Sequence, residues 1–272
     1  MLKKIQLSLL VISVTLFVMT ACQNDPASGS TDDGGQMEAL DTLSFGRATF
    51  KEISKSCVTD TVRCAEATVS YPTVRSANAA VAEQINTTLR SVVANSVGLF
   101  GEADSTKLKP REAAKAFVSE FDKFLEESPD YFTGWASETN GEVIYEDQDV
   151  LTVEMNTYAF TGGAHPNGYV RLLNFDLNSG ALLESSNLVQ DTTALKQLAE
   201  KAFRSARELE PTTDLKEEGF WFENGFTLPA EMGMTKEGLK LFYNAYEVGP
   251  YAMGTTEFTI PTTALEGILV KK

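Results

Sequence analysis

The chain has 272 residues, of which 38 are acidic and 23 are lysine or arginine, and its formal net charge is -15. A body this acidic repels nucleic acid and anionic lipid headgroups, which disfavours both as partners, and it attracts cationic partners at low salt. Hydrophobic residues make up 43% of the sequence. Together with the length of the chain, this is enough to form the core of one large domain or of two closely packed halves.

Residues 1–21 have the features of a secretion signal. Two lysines precede an uncharged apolar run that is shorter than the typical length of a membrane-spanning helix. The small residues before Cys22 resemble the lipobox of bacterial lipoproteins, although Met19 stands where that motif usually has leucine. This resemblance implies a lipidated Cys22 at the mature N-terminus, and an uncleaved anchor helix is the alternative. Both interpretations predict that residues 23–272 lie outside the cytoplasm.

Residues 22–42 are rich in serine, glycine and aspartate and contain few apolar side chains. Such a segment cannot bury enough surface to offset its ordering entropy, so it is predicted to be a flexible tether. Gln23 follows the cysteine where a signal for inner-membrane retention usually has aspartate. This favours the outer membrane or the cell surface as the destination of the lipid-anchored chain.

Cys57 and Cys64 remain as a pair once Cys22 is lipidated. They flank a short Thr-Asp-Thr turn, and two cysteines so placed in an oxidising compartment are predicted to form a disulfide that closes a hairpin. Neither a C-x2-C pair nor a second histidine accompanies them, so no zinc site is predicted. No other metal and no cofactor is predicted.

Blocks of period-two and period-3.6 patterning alternate along the rest of the chain and predict an α+β fold. We expect mainly antiparallel sheets with helices packed on them, in two closely associated subdomains at residues 43–157 and 158–272. The predicted elements, in chain order, are strands at 43–54 and 65–74, helices at 76–97 and 110–127, period-two sequence at 131–159 with a hairpin turn at Asn140-Gly141, a strand at 169–177, a helix at 192–209, and strands at 239–246 and 255–260.

The only histidine, His165, lies in an unusual glycine-rich connection at residues 161–168. Adjacent glycines and a His-Pro step favour an irregular turn from which a histidine could reach a cleft. A general base needs a nucleophile or an orienting acid, and none of the common catalytic motifs is present. A structural histidine that hydrogen-bonds the backbone is therefore favoured over a catalytic one, and no catalytic residue is assigned.

The second unusual stretch, residues 242–254, is an aromatic-rich strand that runs into a Gly-Pro turn. Tyrosines at such a turn offer large, rigid contact area with a polar tip, and they also commonly cap a core. Both interpretations stay open. The candidate ligand-binding residues from the two unusual stretches are Gly162, Gly163, His165, Asn167, Tyr246 and Tyr251.

These motifs, in this order, resemble one extracellular domain family of undefined activity. Tyr158 with the GGAHPN sequence, Asn174-Phe175-Asp176 with its NSG turn, and the YEVGPYAMG stretch carry the resemblance, which covers about residues 158–265. Relatives occur in the lysozyme-sensing anti-sigma-V factor and beside the catalytic domain of a peptidoglycan deacetylase. The preceding strand-helix-strand region resembles the companion domain usually found upstream.

The resemblance implies a binding module of the cell envelope. It leads us to expect a lipid-anchored, non-catalytic protein that binds lysozyme, another cationic protein or a wall glycan. The alternative is an enzyme or an accessory module that acts on peptidoglycan or another envelope carbohydrate, with His165 and nearby acids in a cleft.

Overall fold

A computed structural model describes residues 43–98 and 107–270, and these residues form an α+β fold, as predicted. The predicted signal, the tether and Cys22 lie outside the described residues. Among residues 43–98 and 107–270, no helix has both the length and the apolar character that crossing a membrane requires.

In the part of the chain that the structure describes, nine strands form two sheets, and three α-helices pack against them. The larger sheet has the order β1-β2-β3-β4-β5-β6, and the smaller sheet has the order β7-β8-β9. The elements are β1 (Ser44–Ile53), β2 (Ala65–Arg75), α1 (Ala79–Gly98), α2 (Pro110–Glu127), β3 (Trp135–Glu146), β4 (Val150–Phe160), β5 (Asn167–Asp176), β6 (Leu182–Leu183), α3 (Thr192–Ala206), β7 (Glu231–Met234), β8 (Gly238–Tyr243) and β9 (Thr256–Pro261).

All neighbouring strands of the described sheets are antiparallel except β2 and β3, which are parallel. A parallel pair needs a long crossover, and α1 and α2 supply it. β1 and β2 pair from Ser44 opposite Arg75 to Ile53 opposite Glu66. The Cys57–Cys64 disulfide closes the connection between them, so both the hairpin and the disulfide are confirmed.

The predicted hairpin turn at Asn140-Gly141 is wrong, because β3 runs straight through both residues. Gly141 lies on the buried side of the strand, where an added Cβ atom would be 2.5 Å from the Met155 Sδ atom and 2.9 Å from the Pro72 Cδ atom. A glycine is therefore required at this position because Met155 and Pro72 leave no room for a side chain. The turn comes later, where the Asp147 carboxylate accepts hydrogen bonds from the backbone N–H groups of Asp149 and Val150 at 2.9 and 2.7 Å.

Two hydrophobic cores are built on the two sheets. Helices α1 and α2 cover one face of the larger sheet, and their buried side chains, among them Ile85, Leu89, Phe117 and Phe121, form the first core. Helix α3 packs on the smaller sheet around Phe203 to form the second. The most C-terminal residue that packs against the first core is Leu177. The subdomain boundary expected between residues 157 and 158 falls inside β4.

Candidate functional site

The larger sheet has a second, polar face that none of the described helices covers, here called the outer face. In the strand registers, Glu138 lies opposite Tyr158 and Asn140 lies opposite Asn156, and all four side chains are exposed. Thr68 and Ser70 of β2 pair with Glu138 and Asn140 and extend this polar surface. The alternation of side chains along a strand therefore directs these groups to solvent and their sequence neighbours to the first core.

The smaller sheet packs on one end of the outer face. Phe242 of β8 contacts Val170 and Leu172 of β5 in a small apolar cluster. Beside it, the ammonium group of Lys240 lies 2.8 Å from the Glu154 carboxylate of β4. The alternate side chains of β8, including Leu239 and Leu241, face the second core.

Side chains from the C-terminal part occupy the free edge of β5. The Asn244 side chain accepts a hydrogen bond from the Val170 N–H group at 2.8 Å and donates one to the Val170 carbonyl at 3.0 Å. The Glu231 carboxylate accepts from the Leu172 N–H group at 2.7 Å and from the Tyr169 hydroxyl at 3.3 Å. The buried polar groups of this edge are thus paired without a neighbouring strand.

A cleft of about 500 Å³ opens where the smaller sheet ends. Its floor is the outer face at β3 and β4, and its wall is the connection that follows β8. This volume falls in the range of small-molecule sites. The residues that line the cleft are Glu138, Asn140, Asn156, Thr157, Tyr158, Gly168, Tyr169, Val170, Asn244, Ala245, Tyr251, Gly254 and Thr255.

Three rings from two distant parts of the sequence meet at the wall of the cleft. The His165 ring stacks on the Tyr251 ring with centroids 3.7 Å apart, and the Tyr251 hydroxyl donates to the Pro166 carbonyl at 3.0 Å. The Tyr246 hydroxyl lies 3.2 Å from the Nε2 atom of His165. These contacts fix the position and the tilt of the Tyr251 ring beside the cleft.

The backbone turn that presents these tyrosines depends on Glu247. Its half-buried carboxylate accepts hydrogen bonds from the N–H groups of Ala230 and Asn244, both at 2.8 Å. Burial raises the pKa of Glu247, and the two N–H donors partly offset that effect. Tyr246 in the same turn has a φ of 68°, a left-handed conformation that is costly for an aromatic residue.

The predicted ligand-binding residues do not all meet. His165, Tyr246 and Tyr251 come together, whereas Gly162 and Gly163 lie elsewhere in the connection. Gly162 has a φ of 87°, and a Cβ atom there would collide with the Tyr131 hydroxyl, so its role is to let the chain turn closely past that ring. Asn167 pairs with Ala159, whose buried side chain faces away from the outer face.

The surroundings of His165 fit a structural role. Its Nδ1 atom lies 2.9 Å from the Pro166 carbonyl, and its Nε2 atom faces the Tyr246 hydroxyl. Within the described part of the chain, no carboxylate and no serine, threonine or cysteine side chain hydrogen-bonds to the ring. Residues 43–98 and 107–270 also contain no group of three or more His, Cys, Asp or Glu side chains placed to hold a metal ion.

Sequence reasoning did not predict a ligand-binding role for the floor of the cleft, namely Glu138, Asn140, Asn156 and Tyr158. The available signal was the period of two in β3 and β4, which places these residues on the same face of each strand. A turn at Asn140-Gly141 would end the strand there. The sequence therefore does not predict that Glu138 and Asn140 pair with Tyr158 and Asn156 on the neighbouring strand.

A second exposed feature lies between α3 and β7, at residues 208–230, here called the acidic segment. Phe220 and Phe222 are buried in the second core, and Trp221 between them is 52% exposed. The Trp221 backbone N–H group donates to the Val248 carbonyl at 3.0 Å. This hydrogen bond holds the backbone at the residue whose indole is exposed to solvent. The segment contains one lysine and six exposed acidic residues, which are Glu208, Glu210, Asp214, Glu217, Glu218 and Glu223.

Two family models match parts of the chain. A family described as "Protein of unknown function (DUF3298)" matches residues 186–263, and "Deacetylase PdaC" matches residues 58–168. The first match lies inside the region 158–265 that carries the resemblance described above. No curated protein matches the chain.

Two crystal structures have a similar fold. A member of the DUF3298 family from Bacteroides fragilis is 21% identical, with a TM-score of 0.67, over 85% of this chain and 95% of that one. A DUF3298 family protein from Pseudomonas aeruginosa is 19% identical, with a TM-score of 0.59, over 85% of this chain and 96% of that one. At these identities the likeness shows the fold alone.

Proposed function

We propose that the chain is a lipid-anchored binding protein of the bacterial cell envelope, without catalytic activity of its own, and that it binds a cationic protein of the lysozyme kind. The proposed location is outside the cytoplasm, at the outer membrane or the cell surface.

The envelope location is supported by the apolar N-terminal run with its cysteine and by the similarity of residues 58–168 to a family named for a deacetylase. The resemblance to envelope proteins that sense lysozyme or modify peptidoglycan points the same way. The proposal of binding without catalysis is supported by His165, since both its ring nitrogens lie next to the Pro166 carbonyl and the Tyr246 hydroxyl.

The observation that carries the choice of ligand is the exposed Trp221 in a chain segment that also contains six exposed acidic residues. Tryptophan is the aromatic side chain that attracts lysine and arginine cations most strongly, and it is enriched among residues that dominate binding energy. The carboxylates of the acidic segment and the net charge of -15 attract a basic protein and speed its approach.

Calorimetry of the full chain in a mild detergent with a c-type lysozyme tests this proposal. We expect saturable one-to-one binding that weakens as salt rises, because exposed charges separated by more than about 10 Å are screened at 0.1 M salt. Absence of binding at low salt, or binding that salt does not affect, contradicts it.

Variants locate the proposed interface. Trp221→Ala is expected to weaken lysozyme binding at least about tenfold, since truncation of a central aromatic anchor commonly costs 2 kcal/mol or more. The double variant Glu217→Gln/Glu218→Gln is expected to slow association. Its matched control is Glu126→Gln/Glu127→Gln, an adjacent exposed pair at the end of α2, which should leave the association rate nearly unchanged.

The lipid anchor has its own test at Cys22. Labelled palmitate should enter the wild-type chain and not a Cys22→Ala variant, and the wild type should sediment with membranes. A wild-type chain that takes up no label and remains soluble after cell fractionation contradicts lipid anchoring but leaves the lysozyme test unaffected.

A further inference from the structure

Several polar side chains on the floor of the cleft have donor or acceptor groups without a partner among the described residues. Glu138 and Tyr158 lie opposite each other on β3 and β4, and neither side chain forms a hydrogen bond or an ion pair with the described residues. Asn156 donates one hydrogen bond, to the Glu154 carboxylate at 3.0 Å, and its side-chain oxygen is left without a donor. These groups remain available to a ligand.

The floor continues as a strip of short hydroxyl and amide side chains. Asn140 leads to Ser70 on β2, whose hydroxyl lies 3.3 Å from the Thr49 hydroxyl on β1 and accepts a hydrogen bond from the Arg47 guanidinium group at 2.8 Å. The same guanidinium group lies 3.5 Å from the Asn140 side-chain oxygen and 2.6 Å from the Glu142 carboxylate, so Arg47 borders this strip as one half of an ion pair. Hydroxyl and amide groups both donate and accept hydrogen bonds, so this strip matches a ligand that also carries donors and acceptors at short intervals.

The charge and the polarity of the cleft exclude two classes of ligand. No lysine or arginine of the described residues lines the cleft, and the guanidinium group of Arg47 beside Asn140 is paired with the Glu142 carboxylate at 2.6 Å. Glu138 contributes a carboxylate without a partner, so an anionic ligand is disfavoured. The floor also presents no large aliphatic side chain, so a lipid chain or an apolar peptide segment would find no matching surface.

The aromatic rings supply the apolar part of recognition. Tyr158 is 41% exposed on the floor, and Tyr251 is held in the wall by His165 and the Pro166 carbonyl. A rigid ring loses little conformational entropy on binding and can pack against the apolar C–H face of a sugar ring. A polar strip beside the exposed Tyr158 ring and the fixed Tyr251 ring therefore combines the two kinds of contact that a saccharide offers.

We infer that this cleft binds an uncharged, hydroxyl-rich saccharide chain, with Tyr158 and Tyr251 packing against sugar rings and Glu138, Asn140 and Asn156 hydrogen-bonding to hydroxyl or acetamido groups. This site goes beyond the proposed binding of a cationic protein, which rests on the acidic segment. The two ligands have different sites and different chemistry.

Calorimetry of the full chain in detergent with two tetrasaccharides tests the inference. The β-1,4-linked tetramer of N-acetylglucosamine is expected to bind, and the tetramer of galacturonic acid, which carries four carboxylates, is expected not to. Failure of the neutral tetramer to bind at millimolar concentration, or equal binding of both tetramers, overturns the inference.

Matched variants place the saccharide in the cleft. Tyr158→Ala should weaken binding of the neutral tetramer at least tenfold, whereas Tyr158→Phe should keep most of it because the stacking face remains. Phe132→Ala removes another exposed aromatic ring outside the cleft and should have no effect. Wild-type affinity in Tyr158→Ala, with unchanged thermal unfolding, overturns the assignment to this cleft.

The same variants separate this inference from the proposed function. Trp221→Ala should weaken lysozyme binding and leave saccharide binding intact, and Tyr158→Ala should do the opposite. Loss of both activities in Tyr158→Ala, in a chain that still unfolds cooperatively, would mean that lysozyme occupies the cleft and would overturn the separate saccharide site.

Discussion

The two faces of the larger sheet are made by the same strands but serve different ends. Along β3, Ser137, Thr139 and Gly141 are buried under helices, whereas Glu138 and Asn140 are exposed. The covered side of β3 carries these small side chains beneath the first core, and the outer side carries groups that remain solvated. One residue of register separates a side chain that supports the fold from one that is free to bind.

The largest expected difference between the faces concerns aromatic side chains. Phe121 of α2 is fully buried on the covered face, so Phe121→Ala is expected to lower the free energy of unfolding by about 3 to 5 kcal/mol. Tyr158→Ala on the outer face should change it by no more than about 0.5 kcal/mol. Urea unfolding measures both free energies. Equal losses would contradict the assignment of Phe121 to the covered face and of Tyr158 to the outer face.

The next largest effect concerns the junction of the two sheets. Asn244→Ala leaves the buried N–H and carbonyl groups of Val170 without partners and is expected to cost about 2 to 4 kcal/mol. Asn224→Ala, at an exposed position in the acidic segment, is the control and should have little effect on the same unfolding curve. A loss at Asn244 no larger than that of the control would mean that water replaces the side chain.

Two strand glycines sharpen the comparison further. Gly141→Ala should cost about 1 to 3 kcal/mol, because its Cβ atom would displace Met155 and Pro72 in a packed core. Gly168 lies opposite Tyr158, and its added Cβ atom would come no closer than 3.9 Å to the Thr157 carbonyl. Gly168→Ala should therefore be nearly neutral in thermal unfolding, and a comparable loss at both positions would contradict the assignment of faces.

The smallest effect is local and depends on pH. Hydrogen bonds from the Arg63 side chain, and from the N–H groups of Arg63 and Val62, lower the pKa of Asp60 to about 2. Because this pKa is below the ordinary value of 3.8, the contribution of Asp60 is present above pH 3.8 and is lost as the pH falls through about 2.

Hydrogen exchange at the Val62 and Arg63 amides measures this loss, and it should accelerate between pH 4 and pH 2 beyond the intrinsic rate. In Asp60→Asn the extra acceleration should disappear. The same acid dependence in the variant would show that another carboxylate controls the loop between β1 and β2.

Most elements could be predicted from the sequence because their signals are local. The helical spacing in α1 and α2, the period of two in β4, and the short loop between Cys57 and Cys64 each depend on neighbouring residues. Asn140-Gly141 misled for a physical reason, since its glycine is required by Met155 and Pro72, which are distant in the sequence. β7, with only four residues, was missed for want of a repeating pattern.

The site could be predicted only in part. The meeting of His165, Tyr246 and Tyr251 follows from two unusual stretches, although the ring contacts between them depend on the fold. The floor of the cleft depends on which face of β3 and β4 the helices cover, and the roles of Asn244 and Glu231 depend on the free edge of β5. Neither fact has a local signal in the sequence.

The pairing of the β5 edge by side chains has a consequence for biogenesis. Residues 167–176 are synthesised well before Glu231 and Asn244, so this edge stays open until the later residues have arrived and folded. During that interval the exposed N–H groups of Val170 and Leu172 can pair with a strand of another nascent chain. Export of the whole chain before folding, or protection by a chaperone, would keep this edge from joining two molecules.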